Sequence, residues 1–407
     1  MAKPFIITAL DIGSGCVKIL SVSKKPGEED FEILGYGEEV SLGVRKGVVI
    51  DASKVAETIS SLVKKVEEDS GQKIDSVYAS IGGGHIFSAS SRGLVSVSRA
   101  DRKISEEDIY RVLQAAQTIS MPSNKEIIQS FPKEFIVDGE GGIKDALGME
   151  GVRLEADVLM LGCFSPYLRN SSKTIVNSGL QINDLVPTPL ASSRAVLTSR
   201  EKELGACVLD IGAGTTSMAV FEEGSLIHAA VFPVGSGHIT NDIAVCLKTD
   251  IDTAEKIKKE YGICRNLFQG KKDKGEKKIK IESSDEETEE SLVFSKKMLA
   301  EIIEARVSEI FDLTNKELKN ISRQARLPAG IVLTGGGAKV PGIRELAKKE
   351  LKLPVRIGTA PGFANFKGDP SLSTLYGLIL EGIEGGEVSL GLRKSSWLKR
   401  LVKIFIP

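Results

Sequence analysis

Histidine is scarce in this chain, and the cysteines do not cluster. The 407 residues include only three histidines, none of them in a zinc-ligand or Ser-His-Asp pattern. The five cysteines are scattered, with no CxxC pair among them. Scattered cysteines in odd number are typical of reduced thiols in a cytosolic protein. The sequence therefore argues against a metal hydrolase and against a serine hydrolase.

The chain also lacks an excess of charge of one sign, and it lacks a long apolar run. Lys and Arg number 54 against 55 Asp and Glu, so we expect no nucleic-acid partner for the chain as a whole. The N-terminal apolar run is short and is interrupted by Asp11, which argues against a signal peptide. No window approaches the about 20 apolar residues of a spanning helix. Any membrane contact is expected to be peripheral.

One pattern occurs twice in the chain. An apolar run, Asp-Ile-Gly, a small residue, Gly and a second β-rich run appear in FIITALDIGSGCVKILSV (5–22) and in ACVLDIGAGTTSMAVF (206–221). Asp11 and Asp210 lie about 200 positions apart, and a period this long indicates a duplicated domain rather than a solenoid. Each copy predicts a β-hairpin with a glycine-rich turn.

The turns of both hairpins have the composition of an anion-binding loop. Glycine leaves backbone N–H groups unshielded, so these groups can approach a phosphate closely. Hydroxyl side chains and a lysine add further donors. The predicted phosphate-binding residues are Gly13, Ser14, Gly15, Cys16, Lys18, Gly212, Ala213, Gly214, Thr215 and Thr216.

Asp11 and Asp210 occupy the same place in the two copies. A carboxylate beside a polyphosphate repels it unless a cation lies between them. Mg²⁺ prefers to keep several of its waters and is bound through few carboxylates. We therefore predict that the two aspartates hold Mg²⁺ through water.

A third glycine cluster follows a buried strand near the C-terminus. GIVLTGGGAKVPGI (330–343) leads into a predicted helix, IRELAKKEL. Consecutive glycines let a flat ligand lie against bare backbone, and the helix start favours negative charge. The predicted ligand-binding residues here are Gly335, Gly336, Gly337 and Ala338.

Hairpin, hairpin and strand-GGG-helix, in this order, resemble the phosphate-1, phosphate-2 and adenosine motifs of the actin/Hsp70/sugar-kinase ATPases. Nearly the whole chain resembles the FtsA family of actin-like bacterial cell-division proteins. The similarity lies in SVYASIGGGHI (76–86), GMEGVRLEADVLMLGC (148–163), LVPTPLASSRAVLTSREKELGACVLDIGAGTT (185–216), AGIVLTGGGAKVPGI (329–343) and the C-terminal tail.

The resemblance implies an α/β fold. Two actin-like lobes built from duplicated RNase H-like domains would hold ATP between them, with an FtsA-type inserted subdomain and a C-terminal amphipathic helix. The implied division is 1–84 with 161–193 as the first lobe, 85–160 as the insert, 194–226 with 311–384 as the second lobe, 227–310 as its further subdomain, 385–395 as a linker and 396–407 as the helix.

The resemblance also implies roles for single residues. Actin-like proteins hold adenosine with a Glu and a Lys on a helix of the second lobe, and AEKIKKEYG (254–262) offers Glu255 and Lys258. Hydrolysing relatives orient the attacking water with a Gln or Glu, at a position where this chain has Thr188. A neutral hydroxyl is a poor base. We therefore expect firm ATP binding and slow hydrolysis.

The single tryptophan lies in the C-terminal tail. From Ser396 onward, apolar residues recur at helical spacing and cations take the other side, a pattern typical of a helix in a bilayer surface. A helix docked on the protein's own core is the alternative, although such a helix has no need of so many cations. The predicted membrane-binding residues are Trp397, Leu398, Lys399, Arg400, Leu401, Lys403, Ile404 and Phe405.

The resemblance implies a scaffold at the division site, on the cytoplasmic face of the cell membrane. It would bind ATP and Mg²⁺, assemble with itself into actin-like filaments, contact anionic lipid and tether the tubulin-like polymer FtsZ, while recruiting other division proteins. The FtsZ C-terminal peptide is expected to dock on residues 227–310, where Arg306 would contact an acidic residue of the peptide. Two alternatives stay open: a PilM-like scaffold of another membrane machine, and a small-molecule kinase of the same superfamily.

Overall fold

The computed structural model describes residues 4–25, 31–118, 121–264, 278–281, 292–323, 326–360 and 368–389. The strands of this part are β1 (Phe5–Ile12), β2 (Cys16–Lys24), β3 (Phe31–Val40), β4 (Val44–Arg45), β5 (Val48–Val49), β6 (Ser76–Ile81), β7 (Phe87–Ser96), β8 (Lys125–Val137), β9 (Glu140–Ile143), β10 (Arg153–Phe164), β11 (Gln181–Pro187), β12 (Ala206–Ile211), β13 (Thr216–Glu222), β14 (Ser225–Phe232), β15 (Lys278–Ile281), β16 (Leu292–Ser295), β17 (Gly330–Thr334) and β18 (Val355–Ile357). The α-helices are α1 (Ala52–Ser70), α2 (Glu106–Gln117), α3 (Ser165–Asn177), α4 (Thr188–Val196), α5 (Ser199–Leu204), α6 (Ser236–Leu247), α7 (Ile251–Tyr261), α8 (Lys296–Asn320), α9 (Ile343–Leu351) and α10 (Ser373–Ser389).

Two five-stranded sheets have the same strand order. The first sheet runs β11-β6-β1-β2-β3, and the second runs β18-β17-β12-β13-β14. In each, the predicted hairpin is antiparallel, β1 with β2 and β12 with β13, and a parallel strand lies on its other side, β6 or β17. The duplication predicted from the repeated Asp-Ile-Gly pattern is therefore confirmed as two equivalent sheets, one for each lobe.

A third sheet, β7-β10-β8-β9, is inserted between β6 and α3 of the first lobe. Helix α2 covers it with a buried apolar side, and its first turn is held by a capping box between Ser105 and Asp108. The insert also contacts the second lobe, because Oγ of Ser88 on β7 lies 3.1 Å from Nδ1 of His228 on β14. The insert thus extends from the lobe that carries it to the other lobe.

Helices α4 and α10 join the two lobes. Side chains of both helices share one apolar core with residues of both large sheets. The helices cross so closely that a β-carbon added at Gly377 would overlap the backbone carbonyl of Ala191. Arg194 of α4 pairs with Glu381 and Glu384 of α10. A close helix crossing therefore lies directly between the lobes.

The C-terminal end of α10 differs from the expectation. The helix continues to Ser389, so residues 385–389 of the predicted 385–395 linker are helical. The Gly and Ser content of this segment suggested an early helix end, but extending an existing helix costs little because each added residue gains a hydrogen bond. The predicted amphipathic helix at 396–407 lies outside the described residues. Within the described ranges, no helix combines the length and the apolar character needed to cross a membrane.

Candidate functional site

The turns of the two hairpins are built alike. The N–H group of Gly13 donates to the carbonyl of Cys16 at 3.1 Å, and the N–H group of Gly212 donates to the carbonyl of Thr215 at 2.8 Å. Each turn follows a strand that ends in Asp-Ile-Gly. Because the hairpins occupy equivalent places in equivalent sheets, their turns lie at the same edge of each lobe.

The two turns face each other across the space between the lobes. A β-carbon added at Gly15 would lie 2.8 Å from Cβ of Ala213, and one added at Gly214 would lie 2.5 Å from Oγ of Ser14. The Ser14 hydroxyl also accepts a hydrogen bond from the N–H group of Gly47 at 2.7 Å. Glycine is required here because the two backbones approach so closely.

A cavity opens at this meeting point, and residues of all three glycine motifs line it. The predicted residues that it brings together are Asp11, Gly13, Ser14, Gly15, Cys16, Lys18, Asp210, Gly212, Ala213, Gly214, Thr215, Gly335 and Gly336. Gly337 and Ala338 follow as a buried part of a short 3₁₀ helix and are not among the lining residues. Three segments that are far apart in the sequence thus contribute to one cavity.

Thr216 departs from its predicted role as a phosphate ligand. Its side chain is fully buried, and its hydroxyl donates to the carbonyl of Val234 at 2.9 Å. Successive residues of a strand point to opposite faces, so Ser217 of β13 lines the cavity while Thr216 faces the core. The hydroxyl of Thr216 is therefore committed to the backbone and does not reach the cavity.

Glu255 and Lys258 lie beside the cavity rather than in its lining. Their side chains form an ion pair at 2.6 Å on α7. The Lys258 ammonium also donates to the carbonyl of Ser236 at 3.3 Å, and Ser236 itself lines the cavity. Burial raises the pKa of Glu255, but hydrogen bonds from Lys258 and Thr240 outweigh it and hold that pKa below its ordinary value. Glu255 is therefore ionised at neutral pH. Ser236 lies between this ion pair and the cavity.

Asp11 and Asp210 both line the cavity, where the Asp210 side chain is buried and the Asp11 side chain is half-buried. Asp11 accepts a hydrogen bond from Ser80 at 2.6 Å, and Asp210 accepts one from Thr374 at 3.0 Å. Burial raises the pKa of Asp11. Burial and the charge of Asp11 together raise the pKa of Asp210 to about 6. A cation between two such carboxylates would relieve their repulsion, so the donor set fits Mg²⁺.

The donor set also limits how such a cation would be held. Among the described residues, no group of three or more His, Cys, Asp or Glu side chains is placed to hold a metal ion. Two carboxylates leave most of the octahedral positions around Mg²⁺ to water or phosphate oxygens. The site therefore suits a magnesium ion that arrives with a phosphate ligand.

Cys16 and Glu38 line the cavity next to Lys18. Glu38 lies opposite Lys18 in the pairing of β2 with β3 and lines the same cavity. Burial raises the pKa of the Cys16 thiol to about 12, so this cysteine is not a nucleophile at neutral pH. The five cysteines are all free thiols.

Several lining residues were missed by the sequence analysis. Gly82 had a visible signal, because Gly-Gly-Gly follows β6 just as it follows β17. Thr188 was not missed: it was placed at the water-orienting position, it lines the cavity, and its hydroxyl donates to the carbonyl of Ile81 at 3.0 Å. Ser371 and Thr374, which also line it, carried no signal in the sequence.

Arg306 lies on α8 and is not among the residues that line this cavity. Its guanidinium donates to both carboxylate oxygens of Asp242, at 2.7 and 2.8 Å, and it also pairs with Glu309. These hydrogen bonds raise the pKa of Arg306 further. The sequence analysis predicted that Arg306 contacts an acidic residue of the FtsZ peptide. In the structure, Arg306 is already paired with two carboxylates of its own chain.

Duplicated five-stranded sheets with a glycine-lined cavity between them define a protein of the actin-like fold. Solved structures agree. The PilM protein of a PilM–PilN type IV pilus biogenesis complex matches with a TM-score of 0.64 and 17% identity, over 93% of this chain and 98% of its own. MreB5 of Spiroplasma citri, bound to ADP, matches with a TM-score of 0.56 and 14% identity, over 96% of this chain and 99% of its own.

The sequence comparisons identify the family. The family model "Cell division protein FtsA" matches residues 207–377, and the model "SHS2 domain inserted in FTSA" matches residues 83–161. The cell division protein FtsA of Pseudomonas aeruginosa is 36% identical over 93% of this chain and 89% of its own length. FtsA of Bacillus subtilis is 33% identical over 92% and 82%. The chain belongs to the FtsA family of cell division proteins.

Proposed function

We propose that this chain binds Mg·ATP between its lobes, assembles with itself into actin-like filaments, and tethers FtsZ to the cytoplasmic face of the cell membrane during division. Other division proteins would be recruited to the same assembly. The observation that carries the proposal is the meeting of three glycine loops and the Asp11 and Asp210 carboxylates at one cavity.

The residues of the cavity divide into three roles. The N–H groups of the two hairpin turns and the Lys18 ammonium would bind the phosphates. Asp11 and Asp210 would hold the waters of Mg²⁺, which supplies the charge that brings carboxylates and phosphates together. The backbone at Gly335 and Gly336 would lie against the adenosine, next to the Glu255–Lys258 pair.

Hydrolysis by this site is expected to be slow. Thr188, at the predicted water-orienting position, is a neutral hydroxyl whose proton already bonds to the Ile81 carbonyl. We expect steady-state phosphate release below about one per second per chain, because the hydroxyl at the predicted water-orienting position is a poor base. The Asp210→Asn variant serves as the control for contaminating ATPases. A release rate well above this value that disappears in the control would contradict the expectation.

The membrane contact is assigned to residues 396–407, which the structure does not describe. Each cation near an anionic leaflet contributes roughly 1 kcal/mol, and each of six partly buried apolar side chains contributes about as much. Ordering a dozen residues costs a comparable free energy. One tail would therefore bind weakly and reversibly. Several tails on one filament would bind firmly through their high effective concentration.

Recruitment of FtsZ to vesicles tests the proposal. We expect FtsZ to co-sediment with anionic vesicles only when the full chain is present, and more strongly when Mg·ATP is added. The Arg306→Gln variant should lower the apparent affinity of the vesicle-bound chain for FtsZ about tenfold. A partly buried charge in contact with a partner mainly slows dissociation, so its loss should mainly speed the release of FtsZ. Glutamine is used because it places no new carboxylate beside Asp242 and Glu309.

Arg344→Gln is the matched control for this experiment. Arg344 lies on α9 of the same lobe and is also paired with a carboxylate, that of Glu345. Its replacement should leave recruitment unchanged. If FtsZ stays in solution with the unaltered chain, the tethering function is wrong. If the Arg306→Gln variant recruits as much FtsZ to the vesicles as the Arg344→Gln variant, the predicted contact of Arg306 with FtsZ is wrong. The tethering function would still stand.

A further inference from the structure

A short turn that follows β18 in the chain contributes Ser371 and Thr374 to the lining of the cavity. It comprises residues 369–374 and is closed by its own first residue, because a carboxylate oxygen of Asp369 accepts hydrogen bonds from the N–H group and the hydroxyl of Ser371 at 2.8 and 2.6 Å. A 3₁₀ helix, Pro370–Leu372, then leads directly into α10. None of the three glycine motifs includes this turn.

The turn bonds to the loop of the third glycine cluster. The carbonyl of Pro370 accepts hydrogen bonds from the N–H group of Gly335 at 3.0 Å and from the hydroxyl of Thr334 at 3.1 Å. Asp369 forms an ion pair with Lys339 at 2.7 Å. The backbone that would lie against the adenosine is therefore fixed to the turn.

The same turn also bonds to both hairpins. The carbonyl of Ser371 accepts a hydrogen bond from the Lys18 ammonium at 2.8 Å. The hydroxyl of Thr374 donates to a carboxylate oxygen of Asp210 at 3.0 Å. Thr374 and Asp210 are 5% and 7% exposed, so water competes little for this bond. One short segment thus reaches the lysine of one hairpin and the aspartate of the other.

We propose that the 369–374 turn is a positioning element of the cavity, in which Thr374 holds the Asp210 carboxylate in place for the magnesium that accompanies the phosphates. The inference rests on the proposed function, since it assumes that Mg·ATP is the ligand. A hydroxyl donor favours the charged form of a carboxylate and fixes its rotamer. The turn runs directly into α10, which crosses α4 between the lobes. Through the hydrogen bond of Thr374, the Asp210 carboxylate is therefore linked to this helix crossing.

Thr374→Val tests this role because valine keeps the branched shape of threonine and removes the donor. ATP affinity is measured by calorimetric titration of the full chain, once with Mg²⁺ and once with EDTA. We expect about a tenfold loss of affinity with Mg²⁺, the effect of losing one hydrogen bond to a charged group. The affinity in EDTA should change less than about twofold, because Asp210 then has no cation to hold.

Two further variants distinguish positioning from a general structural role. Thr374→Ser restores the hydroxyl and should restore the magnesium-dependent affinity. Thr314→Val makes the same threonine-to-valine exchange on α8, where the buried hydroxyl donates to the Ile310 carbonyl at 2.9 Å and does not line the cavity, and it should leave the magnesium dependence unchanged. If Thr374→Val does not fold, Thr374→Ala takes its place with the same expectation.

The outcomes separate the inference from the proposed function. If Thr374→Val loses the same ATP affinity with Mg²⁺ and with EDTA, or loses none in either, the positioning role of Thr374 is wrong. ATP binding by the chain would still stand. A loss of magnesium dependence in Thr314→Val as large as that in Thr374→Val overturns it as well, because the effect would then not depend on Asp210. If the unaltered chain does not bind ATP with Mg²⁺, the proposed function fails, and this inference fails with it.

Discussion

Replacing Gly335 by alanine is expected to lower the free energy of unfolding by about 3 kcal/mol, through strain at a left-handed backbone position and overlap with its neighbours. Gly335 has a φ of +82°. A β-carbon there would overlap a carboxylate oxygen of Asp210 and lie 2.7 Å from the carbonyl oxygen of Ile211. Urea denaturation of the purified variant measures the loss.

Gly336→Ala is the matched control for this substitution. The nearest atom to a β-carbon at Gly336 is Cβ of Ser371, 3.9 Å away, and the residue does not have a positive φ. Its replacement should change the free energy of unfolding by less than about 1 kcal/mol. Equal stabilities for the two variants would show that the close contact between Gly335 and Asp210 is absent in solution.

Truncation of the chain after residue 393 is expected to abolish vesicle binding. The full chain should co-pellet with anionic vesicles, and more so with Mg·ATP, because assembly multiplies the weak contacts of single tails. The 1–393 chain should stay in the supernatant under both conditions. It keeps every residue that the structure describes, so the body of the protein should be unaffected.

Neutral vesicles provide the control for the cations of the tail. Removing the anionic lipid should weaken binding of the full chain by roughly 1 kcal/mol for each cation near the surface. If the full chain and the 1–393 chain both stay in solution with anionic vesicles, the tail is a helix docked on the protein's own core. If both pellet equally, another surface of the protein binds the membrane.

The predictable part of the site consists of short-range patterns. Asp-Ile-Gly-x-Gly occurs twice, and each copy is a strand followed by a tight turn, so the duplicated hairpins could be predicted from neighbouring residues alone. Thr216 shows where this reasoning failed. The two-residue period of β13 places Thr216 and Ser217 on opposite faces, with Ser217 in the cavity lining, and the alternation was not applied past the turn.

The unpredictable part consists of contacts between distant segments. Ser371 and Thr374 reach Lys18 and Asp210 across more than a hundred positions, and nothing in their local sequence marks them. Glu38 faces Lys18 only through the register of β2 with β3. Such pairings depend on how the sheets and helices pack, which a single sequence does not state.

Direct titration of ATP into the full chain, with Mg²⁺ and with EDTA, tests the central claim that the two hairpins form one magnesium-dependent nucleotide site. One site per chain is expected. The Asp11→Asn, Asp210→Asn double variant should lose at least about a hundredfold in affinity with Mg²⁺ and far less in EDTA, because only the cation requires the carboxylates. Binding that is equally tight in the double variant, or the absence of binding by the unaltered chain, would contradict the claim.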